Sequence, residues 1–255
     1  MKVSLNWAQY YTDTDISSLS ASELVTLATE RLGGVEGYEE LGRLYDGVVV
    51  AKIVSCVKHP NADKLNVCLI DDGGVAKDAQ RDANGHVQVV CGAPNAREGL
   101  LVAWIPPGCA VPATAGDKEP FVLEARELRG ELSNGMLASP HELALNDNHD
   151  GILEIEEDTT PGTPFKELYG LDDIIIDIEN KMFTHRPDCF GQLGVARELA
   201  GIQHKAFVSP DWYTNAPTET VAEDAKLTVD NQIPELCPRY TAVVIEDVHI
   251  KPSPV

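Results

Sequence analysis

Positive charge is what this sequence lacks most. Its 20 lysines and arginines stand against 41 aspartates and glutamates, a formal net charge of −21 over 255 residues. Nucleic-acid affinity comes mainly from neutralising phosphates, so an acidic body opposes that class of partner at long range and confines any contact to a small basic patch. The same charge also serves solubility. Long apolar runs are missing too: nothing approaches the ~18 residues a membrane span needs. The opening MKVSLNWAQYY has neither the basic flank nor the apolar core of a secretory signal. Six cysteines (Cys56, Cys68, Cys91, Cys109, Cys189 and Cys237) lack C-x-x-C spacing and read as thiols in a reducing cytosol, so a cytoplasmic location is expected. No glycine-rich phosphate loop is present, so no ATP site is expected in this chain.

At 43% hydrophobic residues the chain can bury more than one core, and its texture changes along its length. A strand-like run at Lys2–Leu5 precedes Ser20-Ala-Ser-Glu23, a capping box that starts a helix carrying Leu24, Leu27, Ala28 and Leu32; Gly33-Gly34 stops it. A strand from Val35 to Leu41 follows. From Gly47 to Leu145 short β runs are broken by Gly, Pro, Asn and Asp. The expected strands are Val48–Lys58, Leu65–Asp71, Val87–Gly92, Leu101–Ile105 and Phe121–Leu123, with a long polar hairpin tip at Lys77–Asn84. Five short strands with irregular connections fit a small barrel such as an OB-fold. Ser139-Pro-His-Glu142 is a second capping box and predicts a short closing helix ending near Leu145. Beyond it come a short helix between Thr163-Pro164 and Gly170, a strand at Ile174–Ile178, and an amphipathic helix with Leu193, Ala196, Leu199 and Ala200 on its inner face. Residues 203–226 read as a linker, and Leu227–Asp230 and Tyr240–Ile245 as strands.

The expected architecture is therefore α+β. An OB-fold barrel (41–147) is inserted into a small discontinuous α+β domain (1–40 plus 148–202), then come the linker (203–226) and the truncated start of a further domain (227–255).

Two loop signatures about 65 residues apart carry the functional reading: HPNADKL at His59–Leu65 and LRGELSNGMLAS at Leu128–Ser139. In the first, Pro60, Asn61 and Asp63 suit a tight turn, and Lys58 and Lys64 bracket it with positive charge, as a phosphate contact requires. In the second, Gly130 permits a positive φ or a close backbone approach, and Asn134-Gly135 is a two-residue hairpin signal. Arg126, Arg129, Ser133 and Ser139 offer donors there. An ordinary β-turn and a packed hairpin with solvated arginines would account for the same residues without a ligand. Trp104, the only barrel tryptophan, has apolar neighbours and reads as core or rim. Cys56 and His59 have C-x-x-H spacing without a second pair, so no metal site is expected. His185 and Cys189 enclose Pro187 and read as a structural loop, not as a base and its nucleophile.

The pair of signatures, on either side of CGAPNAREG (Cys91–Gly99), resembles the OB-type tRNA-binding module of several aminoacyl-tRNA synthetases and free tRNA-binding proteins. MKVSLNWAQYY, GGVEGYEEL, DIENKMFTHRPDCFGQLGVARELAGI and CPRYTAVVIEDVHIKPSP extend the likeness, so that nearly the whole chain resembles the N-terminal part of bacterial phenylalanyl-tRNA synthetase β subunits. His185 stands where that family usually has asparagine, and Ala138 where it often has cysteine.

The resemblance implies a non-catalytic tRNA-binding and scaffolding region of a phenylalanine-tRNA ligase. It recognises the folded shape of tRNA without reading sequence, and it contains no catalytic residue. The whole enzyme is then a tetramer of two α and two β subunits, with ATP and Mg2+ used by α to activate phenylalanine. The partners implied are tRNA and the α subunit, with no membrane and no DNA. The implied tRNA-contacting residues are Lys58, Lys64, Asn95, Arg97, Arg126, Arg129 and Ser133, and the last segment would open a domain that hydrolyses tRNA mischarged with tyrosine. The competing reading, kept open by the acidic charge, is a structural or protein-interaction module whose barrel does not touch tRNA.

Overall fold

The computed structural model describes residues 1–12, 20–179, 181, 184–215, 227–242 and 244–251. Part of the FTHRPDC stretch, the second part of the expected linker (216–226) and the last four residues lie outside the described residues. Met1–Val208 forms one compact unit and Ser209–Val255 another.

Within the first unit a three-stranded antiparallel sheet joins distant parts of the sequence, in the order β1 (Lys2–Ser4), β10 (Ile174–Ile178), β2 (Val35–Glu40). Helices α1 (Leu5–Tyr10), α2 (Ala21–Arg31) and α4 (Gln192–Ile202) cover it, and Val3, Leu24, Ile176, Ile178, Val195 and Leu199 form its core. Ser20 caps α2 and Glu23 reaches back to it, the reciprocal bonding its spacing predicts. The chain leaves this sheet after β2 and re-enters it at β10, and everything between belongs to the barrel and its packing.

The barrel is a five-stranded antiparallel sheet in the order β5 (Val87–Cys91), β4 (Asn66–Asp71), β3 (Val49–Lys58), β6 (Leu101–Ile105), β9 (Met136–Leu137). The start of β3 and most of β6 are buried on both faces. Val49, Ala51, Ile53, Val102 and Trp104 point into the barrel, while Val48, Val50, Ala103 and Ile105 meet Phe165 of α3 (Phe165–Leu168), Leu143, Leu153 and Ile155 outside. Trp104 is fully buried and donates its indole N–H to the Asn134 carbonyl at 2.9 Å. The hairpin β7 (Ala125–Leu128) and β8 (Glu131–Asn134) nearly closes the barrel by lying along β5. No backbone ladder joins them; side chains do. Ser133 Oγ accepts from the Val90 amide at 3.0 Å, Asn134 Nδ2 donates to the Gln88 carbonyl at 3.0 Å, and Gln88 Nε2 donates to the Leu132 carbonyl at 3.0 Å.

Three local expectations are corrected. Phe121–Leu123 is not the fifth strand: it is held to the 108–114 segment by scattered bonds and one bridge, Val122 to Ala110, and Met136–Leu137 takes the barrel edge. The Ser139–Glu142 capping box forms, yet only a turn follows, because Ala144 adopts a left-handed φ of 56° that ends helical geometry. Tight reversal occurs at Arg129-Gly130, both with positive φ (51° and 94°), which is a type I′ turn, and not at Asn134-Gly135. Gly135 serves a close approach instead: a Cβ there would collide with the Ile105 carbonyl oxygen.

The long connection between β4 and β5 is pinned by a buried ion pair. Arg81 reaches Asp72 through both terminal nitrogens, at 2.6 and 2.9 Å, and also donates to the carbonyls of Ala76 and Gly85. Burial pushes the Asp72 carboxyl up, but Arg81 and the amides of Ala76 and Gly74 outweigh it, and the carboxyl sits below its ordinary range. Near residue 203 the chain is tied to the N-terminal helix: Thr12 and Phe207 form a bridge, and Val208 donates to the Tyr11 carbonyl at 3.1 Å.

In the second unit a single helical turn, α5 (Asp211–Thr214), is present, and the described residues from 227 onward form no helix or strand. Neither Leu227–Asp230 nor the described part of Tyr240–Ile245 is a strand. A strand requires a neighbour to pair with, and the apolar side chains here stay open, Leu236 and Ile245 being about four-fifths exposed (80% and 76%).

Candidate nucleic-acid interface

The two loop signatures meet in space. The turn after β3 is closed by backbone bonds between His59 and Leu65, and it docks on the β7–β8 turn through two side chains. His59 is buried. Its Nδ1 accepts the Asn61 amide at 3.0 Å, which leaves the ring proton on Nε2, and that proton is donated to the Leu128 carbonyl at 3.0 Å. Asn61 Nδ2 donates to the Arg129 carbonyl, also at 3.0 Å. Gly130 completes the turn because its φ of 94° lies in the left-handed region, where a side chain would be strained. The sequence reading assigned Asn61 to local turn bonds and had no role for His59. Its alternation with Pro60 and Asn61 carried no sign of a partner nearly seventy residues away.

Around this clasp stand Lys58, Lys64, Arg126 and Arg129, all exposed. Lys58 ends β3 opposite Asn66, Lys64 lies in the turn, and Arg126 and Arg129 belong to the hairpin the turn docks on. Among the described residues none of the four makes an ion pair, although Asp63 and Glu127 are exposed close to them in sequence.

The remaining predicted contacts are placed differently. Arg97 is exposed but spent on Glu154, which it grips through both terminal nitrogens at 2.8 and 2.7 Å, holding that carboxyl below its ordinary range. Asn95 is half-buried and bridges to the 152–154 segment, donating to the Ile152 carbonyl at 2.9 Å and accepting the Ile152 amide at 3.0 Å. Ser133 is 2% exposed, accepts from Val90 and donates to the Gly135 carbonyl at 3.2 Å, so its hydroxyl is not a surface group.

Beside the clasp opens a cleft of about 660 Å³. Leu65, Val90–Pro94, Phe121–Glu124, Arg126 and Leu128 line it, together with Glu142 and His149. Phe121 and Val122 are half-exposed, at 52% and 48%. Phe121 is the aromatic that sequence reasoning missed, because attention rested on tryptophan; its place at the start of the run leading into Arg126 was the available signal.

The loop at His185–Cys189 has no nucleophile chemistry to offer. Cys189 is buried, and burial pushes its thiol up despite the neighbouring Arg186 guanidinium. Asp188, Cys189 and Glu198 are the one grouping of three potential metal ligands among the described residues. Both carboxylates are already neutralised: Arg186 pairs with Asp188 at 2.9 Å and Glu198 at 2.5 Å, and Arg197 with Asp188 at 3.0 Å. Arg186 holds the Asp188 carboxyl at about 2. This is an ion network that fixes a loop, and it does not fit a Mg2+ site.

Comparison with known proteins agrees with this arrangement. Residues 48–164 match a family described as "Putative tRNA binding domain". The chain is 39% identical over 251 residues to the phenylalanine–tRNA ligase beta subunit of Dickeya dadantii, covering 98% of this chain and 29% of that protein. It is 37% identical over 268 residues to the subunit of the same name from Salinibacter ruber, covering 100% and 30%. The Haemophilus influenzae subunit is 37% identical over 257 residues, covering 100% and 29%. The chain thus spans less than a third of the length of these relatives. With its barrel inside the matched domain and nearly every residue aligned to these subunits, the protein belongs to the family of phenylalanine–tRNA ligase beta subunits, as an N-terminal portion of one built around an OB-type barrel.

Proposed function

We propose that this chain is a non-catalytic tRNA-binding and scaffolding region of a cytoplasmic phenylalanine–tRNA ligase. In that reading its partners are tRNA and the synthetase α subunit, and the assembled tetramer charges tRNA with phenylalanine using ATP and Mg2+ bound outside this chain. The observation that carries the reading is the clasp, where His59 and Asn61 hold the β3–β4 turn against the β7–β8 turn and gather Lys58, Lys64, Arg126 and Arg129 around one junction. Asn95, Arg97 and Ser133 support that surface from behind: Asn95 and Arg97 fix the 92–99 loop, and Ser133 fixes the hairpin. Backbone and phosphate recognition at such a surface positions tRNA without reading its sequence. The domain limits that go with this reading are 1–40 plus 148–202, 41–147, 203–226 and 227–255.

Titration of the chain with folded tRNA at low and near-physiological salt tests it, beside the variant Lys58→Ala/Lys64→Ala/Arg126→Ala/Arg129→Ala. Each phosphate neutralised contributes up to about 0.9 to the slope of log affinity against log salt, so losing four contacts should flatten that slope by about 3. A chain that fails to bind tRNA even at low salt overturns the reading and leaves the barrel an architectural module.

A further inference from the structure

The cleft beside the clasp has features that phosphate recognition alone does not use. Its volume, about 660 Å³, is that of a small-molecule site and not of a shallow backbone-tracking groove. Phe121 lines it with half its surface open and makes no ring contact with another aromatic among the described residues. The backbone beneath that ring is rigid: the Phe121 amide donates to Thr114 Oγ1 at 2.9 Å, its carbonyl accepts from Val111 at 2.8 Å, and Val122 bridges to Ala110. An exposed aromatic held on fixed backbone at a cleft wall is a stacking platform, which sequence-tolerant binding of unpaired bases requires. Arg126, exposed and without an ion pair among the described residues, lines the same cleft within reach of a strand that crosses the clasp.

The other charged groups there are Glu124 and Glu142. Glu142 is anchored by the amide and hydroxyl of Ser139. Two carboxylates beside one guanidinium make a poor pocket for a bare anion. They do suit a base whose edge carries amino donors, because an ionised carboxylate only accepts hydrogen bonds.

Resting on the tRNA reading above, we infer that this cleft takes one unstacked, amino-bearing base of the bound RNA. The base stacks on Phe121, its exocyclic amine faces Glu124 and Glu142, and its phosphate is held by Arg126. The barrel then grips tRNA at two kinds of point: phosphates at the clasp and a single splayed-out base in the cleft.

Phe121→Ala and Phe121→Trp test this in the 255-residue chain, with folded tRNA, AMP, UMP and inorganic phosphate as probes. Phe121 is half-exposed and its backbone bonds survive substitution, so both variants keep the fold. Removing the ring should weaken tRNA binding about 5- to 150-fold, while tryptophan should hold affinity within about threefold of the parent. In Phe121→Trp the added emission should be quenched by tRNA and by AMP, less by UMP, and not by phosphate. Phe121→Ala binding tRNA within about twofold of the parent, while the four-cation variant loses binding, overturns the base site and leaves the phosphate surface standing. Emission from Phe121→Trp that tRNA leaves untouched overturns it equally. Absence of tRNA binding by the parent overturns the underlying reading together with this site.

Discussion

Replacing His59 with alanine should loosen the junction on which the proposed interface depends. The imidazole supplies two bonds, accepting from Asn61 and donating to Leu128, each at 3.0 Å. A net hydrogen bond is worth about 0.5–1.5 kcal/mol, and the variant takes the imidazole away from both partners, the Asn61 amide and the Leu128 carbonyl, at a position where His59 itself is 5% exposed. Adding the lost packing, the expected destabilisation is about 3 kcal/mol, or a drop of roughly 6–12 °C in melting midpoint for a unit of this size. Glutamine can restore the donor to Leu128 but not the acceptor for Asn61, so His59→Gln should fall between parent and alanine. Urea unfolding of the three proteins reads the stability. Titration with tRNA at a temperature where all are folded reads the interface, where the alanine variant should bind less tightly although no charge has been removed. If His59→Ala unfolds within about 0.5 kcal/mol of the parent and binds tRNA unchanged, the turn and hairpin are held by other contacts and the clasp is not the organising feature.

Three further outcomes are expected. Arg81→Met should cost about 3 kcal/mol in chemical denaturation, because the fully buried Asp72 carboxylate keeps only the amides of Gly74 and Ala76; adding Asp72→Asn should recover part of the loss. Ser133→Ala should destabilise by about 1–3 kcal/mol by stranding the Val90 amide, and should leave the salt slope of tRNA binding unchanged; the opposite pattern would make Ser133 a phosphate contact. Asp188, held at about 2 by Arg186 with help from Arg197, contributes stability that is complete above the unfolded carboxylate value near 3.9 and is lost as pH falls toward 2. Carbon-13 NMR should show its titration moving up toward the ordinary range in Arg186→Gln, and a midpoint still near 2 would assign the depression to another group.

Local signals were legible where one residue type does one job. The Ser20–Glu23 box announced α2, and the short β run at Val48–Lys58 announced β3. The match of both signatures to a tRNA-binding module was legible as well. What the sequence did not reveal is long-range and cooperative. Arg129 takes a positive φ that its residue type disfavours, because the clasp bonds its carbonyl to Asn61; no local rule would place the turn there instead of at Asn134-Gly135. Ser133 looked like a surface donor because its neighbours are polar, and only closure of the barrel against β5 buries it. Arg97 looked free until the chain returned with Glu154. In each case the deciding partner lies more than forty residues away.

The acidic charge that seemed to argue against tRNA acts over a different range from the clasp. At physiological ionic strength the Debye length is about 8 Å, so carboxylates on remote faces are screened from a phosphate at the junction, whereas a lysine or arginine in contact with it is not. Free cations as such do not mark the interface, since Lys52, Lys77 and Lys118 also lack ion pairs among the described residues. Convergence distinguishes the four at the clasp, because two turns from opposite ends of the barrel sequence bring them together. The arginines elsewhere on the barrel are held by acids, Arg43 by Glu40, Arg81 by Asp72 and Arg97 by Glu154. On the proposed tRNA reading, an acidic protein arranged in this way would keep nucleic acid off most of its surface and admit it at the clasp, so that its charge works for selectivity of position more than against binding.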